Sequence, residues 1–379
     1  MPIFLCYDTV KPTSYWSAER YRGMTSEFSR RRIKYFSISS PEELREHLKK
    51  YGEEDSSIVF FPTNENRHKY FLDRYSDFNI HKILLSNYST NTATSDFSTV
   101  VNDFRGDMQL AISHLKEKGC KKIALFNADM CGYHDRLRIE TYKQFVYHEP
   151  LIFFADKTVY PVISKLLECN EKIDAIICTN DFSAFCLMLV LNEIDRNWRD
   201  KILILSFADT ILSSLSSPSL SSVSLNYEIS GKEIATIHNS IKKSKNMAYM
   251  HIVMKSRLSA RETTEKQNPE GMFFSEYDRL NEEKIIEITA PRAKCVELEK
   301  ILTACDATDL KIIHGLLLSK TIEEISKNLY LSYEAIKYRI KKIKKFLKFT
   351  TTAELSAWLK IWIDSSKLEE KIINEYNKK

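Results

Sequence analysis

The chain has 379 residues, 43% of them hydrophobic, and a net charge of +5, which sets a scale of two or three domains and excludes a disordered chain. That charge is too small to make the whole chain a polyanion binder, but its basic excess is concentrated near the C-terminus. Only 8 glycines are present and no GxGxxG or GxxxxGK run occurs, which argues against a glycine-rich phosphate loop.

From residue 3 to about 263, short apolar runs rich in Ile, Val and Phe alternate with amphipathic helical windows. Strands are expected at 3–7, 33–38, 57–62, 82–87, 121–128, 151–155, 174–179, 201–208, 222–226 and 251–258. Helices are expected near 15–30, 41–51, 65–76, 105–118, 135–147, 158–169, 182–195 and 228–245. Continuous apolar strands alternating with helices imply parallel sheets covered on both faces. The length of this part implies two α/β lobes, with ligands received beyond the carboxyl ends of the strands. The stretch 264–284 is polar, holds Pro269 and Gly271, and breaks the rhythm. Its apolar island Met272-Phe273-Phe274 has two readings, docking on a neighbouring surface or an ordinary loop contact.

From Cys295 the pattern is helical only. Val296, Leu298 and Ile301 open one helix, and a second runs from Asp309 to Leu318. Ile322, Ile325 and Leu329 then form one face of a short helix, followed by Tyr330-Leu331-Ser332. Ser332 stands where an N-cap belongs. The next helix turns Ile336, Ile340, Ile343 and Leu347 inward and carries Lys337, Arg339, Lys341, Lys342, Lys344, Lys345 and Lys348 on its other faces, with no acid from Lys337 to Lys348. A short helix, a turn and a basic helix is the layout that places a reading helix in the DNA major groove. In the last helix, 352–363, Leu355, Trp358, Leu359 and Trp362 form an apolar stripe, to be read as core or dimer seam.

The segment 102–145, with HLKEKGCKKIAL, and the segment 174–235, with Asn180-Asp181 after a strand, ILSFAD and PSLSSVSLN, are followed by SRLSARET. In this order and spacing they resemble the effector-binding domain of LacI/GalR-type regulators, a type I periplasmic-binding-protein-like fold. The resemblance covers nearly all of 1–263. It implies one lobe from about 1–103 and 228–250 and another from about 104–227 and 251–263. It also implies that Arg138, Asn180, Asp181 and Asp209 line a ligand cleft, with Tyr15 and Trp16 as stacking aromatics. Arg138 suits that role because guanidinium is a rigid fork of donors. The plainer readings are a solvated helix residue for Arg138, core packing for Tyr15 and Trp16, and only an N-cap for Asp181. Two departures stand out. Ala208 occupies the position of a usual ligand-binding Asp, and Asn102-Asp103 reverses the usual Asp-Asn order.

The line from Ala307 to Leu359 resembles the LuxR/GerE-type helix-turn-helix without gaps. Glu324-Ile325-Ser326, Leu331-Ser332 and Ala335-Ile336-Lys337 match its pattern, and Ser319 and Ala335 depart from its usual Gly and Thr. The resemblance implies a DNA face of Ser332, Tyr333, Lys337, Tyr338, Lys341, Lys344, Lys345 and Lys348, and a role for 352–363 in pairing two subunits. Within that face Tyr338 and Lys341 are the base-edge candidates, and Lys344, Lys345 and Lys348 the phosphate contacts.

The expected organisation is a sensing domain at 1–263, a linker at 264–294, a helix-turn-helix domain at 295–363 and a tail at 364–379. The expected function is a ligand-responsive transcription regulator that binds operator DNA as a homodimer. Its effector is a small polar metabolite, a sugar being one candidate. The competing reading is a regulator whose sensor is a ligand-free dimerisation scaffold. An enzyme is disfavoured because no nucleophile–base–orienter set appears. Eight cysteines without CxxC or metal spacing imply free thiols and no metal or cofactor. MPIFLCYD does not read as a signal peptide and no apolar run is long enough to span a membrane, so the expectation is a soluble, cytoplasmic protein with no membrane partner.

Overall fold

The apolar run Ile3–Tyr7 sends Phe4 and Cys6 into one buried cluster and Ile3 and Leu5 into another. Such a strand is satisfied only between two helical layers. The structure, a computed structural model, describes residues 2–7, 15–54, 56–61, 65–85, 96–244, 246–277 and 280–376. In chain order its first elements are β1 (Ile3–Tyr7), α1 (Tyr15–Arg31), β2 (Tyr35–Ile38), α2 (Pro41–Tyr51), β3 (Ser57–Phe61), α3 (Glu65–Arg74), β4 (His81–Leu85), β5 (Ser98–Asn102), α4 (Phe104–Glu117), β6 (Ile123–Ala128) and α5 (Tyr133–Phe145). Next come β7 (Leu151–Phe154), α6 (Tyr160–Leu167), β8 (Lys172–Ile173), β9 (Ala175–Cys178), α7 (Asp181–Ile194), α8 (Trp198–Lys201), β10 (Leu203–Ala208), α9 (Ile211–Leu215), β11 (Ser221–Ser224), α10 (Tyr227–Lys243), β12 (His251–Met254) and β13 (Arg257–Ser259). The last are β14 (Met272–Phe273), α11 (Glu282–Thr289), α12 (Cys295–Ala304), α13 (Ala307–Leu317), α14 (Ile322–Leu329), α15 (Tyr333–Leu347), α16 (Thr352–Trp362) and α17 (Ser365–Tyr376).

Two compact units result. The first comprises 1–107, 131–138 and 225–256, and the second 108–130, 139–224 and 257–379. The first holds an all-parallel sheet in the order β12-β5-β4-β3-β1-β2. Helices α1 and α10 pack so closely on each other that a Cβ on Gly23 would stand 1.9 Å from the Glu228 carbonyl oxygen, and one on Gly231 2.0 Å from that of Arg20. The second unit holds the order β13-β11-β10-β9-β6-β7, parallel except for β13. Local chemistry sets the helix ends. In α2, Ser40 accepts from the Glu43 amide, Pro41 opens the first turn, and Gly52 closes the helix at φ 78°.

The α/β rhythm is as expected from the sequence, but β5, at 98–102, is not among the expected strands, and other differences follow. The run 251–258 is not one strand: β12 joins the first sheet beside β5, and β13 joins the second, antiparallel to β11. Hydropathy marks an apolar run but not the sheet that receives it. The stretch expected as a linker is pinned: Met272 and Phe274 are buried, β14 pairs with β8, and the Tyr277 hydroxyl donates to Asp195 at 2.9 Å. The stretch expected as a tail forms α17, with Leu368 fully buried. The apolar stripe of α16 lies inside the chain's own core, where Trp362 meets Phe185 of α7 at 5.9 Å between ring centroids. It is therefore not a free seam for a second subunit. No helix among the described residues is long and apolar enough to cross a membrane, and the eight cysteines are free thiols.

Candidate functional site

Residues expected to line a ligand cleft fall into both units. In the first unit, the start of α5 buries Arg138 and Asp135, and the start of α4 buries Phe104 and Asp107. Arg138 donates to the Asp135 carboxylate at 3.2 Å and lies over the Phe104 ring at 5.4 Å. It is thus not a solvated helix residue. Burial pushes the Asp107 carboxyl up to about 7, against the pull of the Arg138 guanidinium. Beside them Asn102, at the end of β5, is buried, and neither its amide nitrogen nor its oxygen has a partner among the described residues. It lines a cavity of about 130 Å³ with Asp103, Phe104, Tyr133 and Leu137. A buried amide offering both donor and acceptor takes a polar ligand or water. In the sequence Asn102 stands out only as half of a reversed pair, and no local pattern signals the burial of Asp107 and Asp135. Tyr15 and Trp16 lie on the first turn of α1, and their side chains are outside the described residues.

A protonated carboxyl at Asp107 has a consequence for stability. Because its folded value lies above the ordinary 3.8, the folded state holds the proton more tightly than the unfolded chain. The stability difference between the native chain and Asp107→Asn should therefore turn against the native chain as pH rises from about 4 to about 7, by at most about 4 kcal/mol, and level off above that. Urea unfolding of both proteins across this range reads it directly, and a pH-independent difference would remove the perturbed carboxyl.

In the second unit, Asn180 caps α7 and its Oδ1 accepts from the Ser183 amide at 2.9 Å. Asp181, next in the chain, is fully buried. Its Oδ1 accepts from Ser206 at 2.5 Å and Ser222 at 2.7 Å, and its Oδ2 from the Thr210 amide and hydroxyl, both at 2.8 Å. All four acceptor positions of the carboxylate are filled from within. Burial raises its pKa, while these hydrogen bonds oppose the shift. Asp181, expected as a cleft contact, here fastens β10, β11 and the 210 turn to α7. Asp209 is also engaged. Its Oδ1 accepts from Arg261 at 2.5 Å and its Oδ2 from Ser259 at 2.8 Å. Ala208 sits at φ 125° and Asp209 at φ 51°, a strained turn at the carboxyl end of β10.

The C-terminal helices form a second candidate surface. Thr321 and Glu324 cap α14 reciprocally, and Tyr330 ends it at φ 53°. The Ser326 hydroxyl donates to the Leu331 carbonyl at 2.5 Å, and Ser332 caps α15 by accepting from the Ala335 amide at 3.2 Å. Ser319, in the place of a usual glycine, takes φ 58°. Ile336, Ile340, Ile343 and Leu347 are buried, while Ser332, Tyr333, Lys337, Tyr338, Lys341, Lys345 and Lys348 are exposed. Lys344 is half-buried and donates to the Thr350 carbonyl at 3.0 Å. Arg339 turns away, donating to Asp306 at 2.9 Å and Asp309 at 2.6 Å, so its charge ties α15 to the start of α13. Lys345 also lines a groove of about 480 Å³ between α12 and α15, with Ile301, Ala304 and Phe346.

Residues 112–264 match the family model described as periplasmic binding protein-like domain. The α/β part of the chain has the two-lobe periplasmic-binding-protein-like fold. The HTH-type transcriptional regulator GalR of Streptococcus thermophilus is 27% identical over 164 residues, which are 40% of this chain and 50% of that protein. The chain thus spans about half the length of this curated relative. The lac repressor dimer bound to operator and the anti-inducer ONPF superposes with a TM-score of 0.54 at 14% identity, covering 69% of this chain and 93% of that one. A LacI family transcriptional regulator from Enterococcus faecalis V583 with bound ribose gives 0.53 at 17% identity, covering 69% and 98%. At these identities the solved structures speak for the fold of the periplasmic-binding-protein-like domain.

Proposed function

We propose that the chain is a transcription regulator in which the periplasmic-binding-protein-like domain senses a small polar metabolite and the C-terminal helices bind operator DNA as a homodimer. The observation that carries this reading is the joining, in one chain, of that domain with a capped turn and an exposed basic helix, α15. The layout of α13 to α16 fits a LuxR/GerE-type helix-turn-helix, with Lys337, Tyr338 and Lys341 toward the groove and Lys345 and Lys348 toward phosphates. The relative named GalR and the operator-bound lac repressor are regulators. The ribose held by the Enterococcus faecalis protein makes sugars the first effectors to test. In this reading Asn102 and Arg138 are the effector contacts of the first unit.

Thermal unfolding over ribose, galactose and cellobiose tests the sensor. A ligand at 100 times its Kd adds about 2.7 kcal/mol, and Arg138→Gln should abolish the shift. One set of observations favours the second reading, a sensor kept as a dimerisation scaffold: Ala208 lacks a carboxylate, and Asp181 and Asp209 are consumed internally. No shift with any of the sugars, in a chain that retains duplex DNA, would select it.

A further inference from the structure

Helix α9 is five residues long and is gripped at both ends by the C-terminal helices. At its start Glu299 of α12, fully buried, accepts from the Ile211 amide at 2.7 Å and the Leu212 amide at 2.9 Å. At its far end the Asp364 amide donates to the Leu215 carbonyl at 2.7 Å, and the Lys367 ammonium to the Ser216 carbonyl at 2.8 Å. Lys367 also pairs with Glu262. The same helix is fastened upstream through Thr210, whose amide and hydroxyl both donate to Asp181. Immediately before Thr210 lie the positive-φ residues Ala208 and Asp209, at the carboxyl end of β10. In open parallel sheets that end is where ligands are received. A single short run of chain therefore begins at the ligand end of a strand and finishes in the grip of the helices that carry α15.

We propose that α9 is the coupling element between sensor and C-terminal module, and that Glu299 is its positioning residue. The inference rests on the sensor-and-DNA reading above. A buried carboxylate deprived of its two amide donors is costly, so α12 follows the first turn of α9 when the 208–210 turn shifts. Helix α12 packs on α15, which carries the shift onward. The covalent connection offers no comparable lever, because β14 is paired with β8 and Tyr277 is bonded to Asp195 within the same unit as α9.

The test is hydrogen exchange on the full chain, without DNA or effector. Thr210→Val removes the hydroxyl bond to Asp181 and the side-chain cap of α9 but keeps the Thr210 amide. Exchange should quicken at least about threefold at 211–215 and also in α12 and α15. In the double variant Thr210→Val/Glu299→Gln the response of α12 and α15 should disappear relative to Glu299→Gln alone. If Thr210→Val does not fold, Ser222→Ala loosens the same carboxylate from its other oxygen. Three results overturn the proposal: no quickening at 211–215, quickening there with α12 and α15 unchanged, or a response of α12 and α15 that survives Glu299→Gln. None of these touches the DNA-binding reading, which retention of duplex DNA by the same proteins measures separately.

Discussion

Reversing two charges on α15, with Lys337→Glu and Lys341→Glu together, should lower affinity for duplex DNA at least about a hundredfold at physiological salt and reduce the salt slope by about two. The reasoning is electrostatic. Both lysines are exposed on a helix that has no acid from Lys337 to Lys348. Each reversal removes a cation from the groove-facing side of the helix and places an anion in the negative potential of the DNA, so fewer counterions are released on binding. The fold should hardly notice. Lys337 has an acid neighbour, Glu334, at 3.7 Å, and both side chains are more than half exposed, a pair worth at most about 0.5 kcal/mol. Gel retardation at several salt concentrations, with thermal unfolding of the same samples, reads both quantities. An unchanged slope would move the DNA contact off this helix.

The second large effect concerns stability. Asp181→Ala should cost about 2–4 kcal/mol. Two terms compete. The substitution relieves the burial of a carboxylate whose pKa is raised by desolvation. It also strands the groups that point at it. Of these, the Ser206 hydroxyl has another acceptor in the Ser221 carbonyl at 3.4 Å, and hydroxyls can rotate. The Thr210 amide cannot, because the backbone fixes its direction, so the loss outweighs the relief. Asp181→Asn keeps the shape but aims an NH2 group at donors, and should cost somewhat less. Urea denaturation measures each value, and a loss below about 1 kcal/mol in Asp181→Ala would mean that water replaces the carboxylate.

Much of the fold could be read from local pattern. Apolar runs such as 57–61 and 203–208 and helices such as 41–51 have their periodicity and caps within a few residues. The basic helix and its Ser332 cap are local too. The candidate ligand site was legible only in part. Arg138 is buried beside Phe104 and Asp135, in the first unit and not with 104–227 as the resemblance implies, and Asn180 caps α7 in the second. Asp181 is a cap residue in sequence and an internal fastener in space, because its partners Ser206, Thr210 and Ser222 lie 25 to 41 residues away.

By itself, then, the sequence determined the alternation of strand and helix and the basic surface of α15, since these depend on residues within one or two helical turns. Tertiary structure alone decided that β12 and β13 part company, that 272–274 is a buried anchor, that α17 is not a tail, and that the Trp358–Trp362 stripe is core. It also decided that Glu299 reaches the Ile211 amide across 88 residues. Burial and hydrogen-bond partnership at such separations depend on which surfaces meet, and the period of a single segment carries no information about its partner.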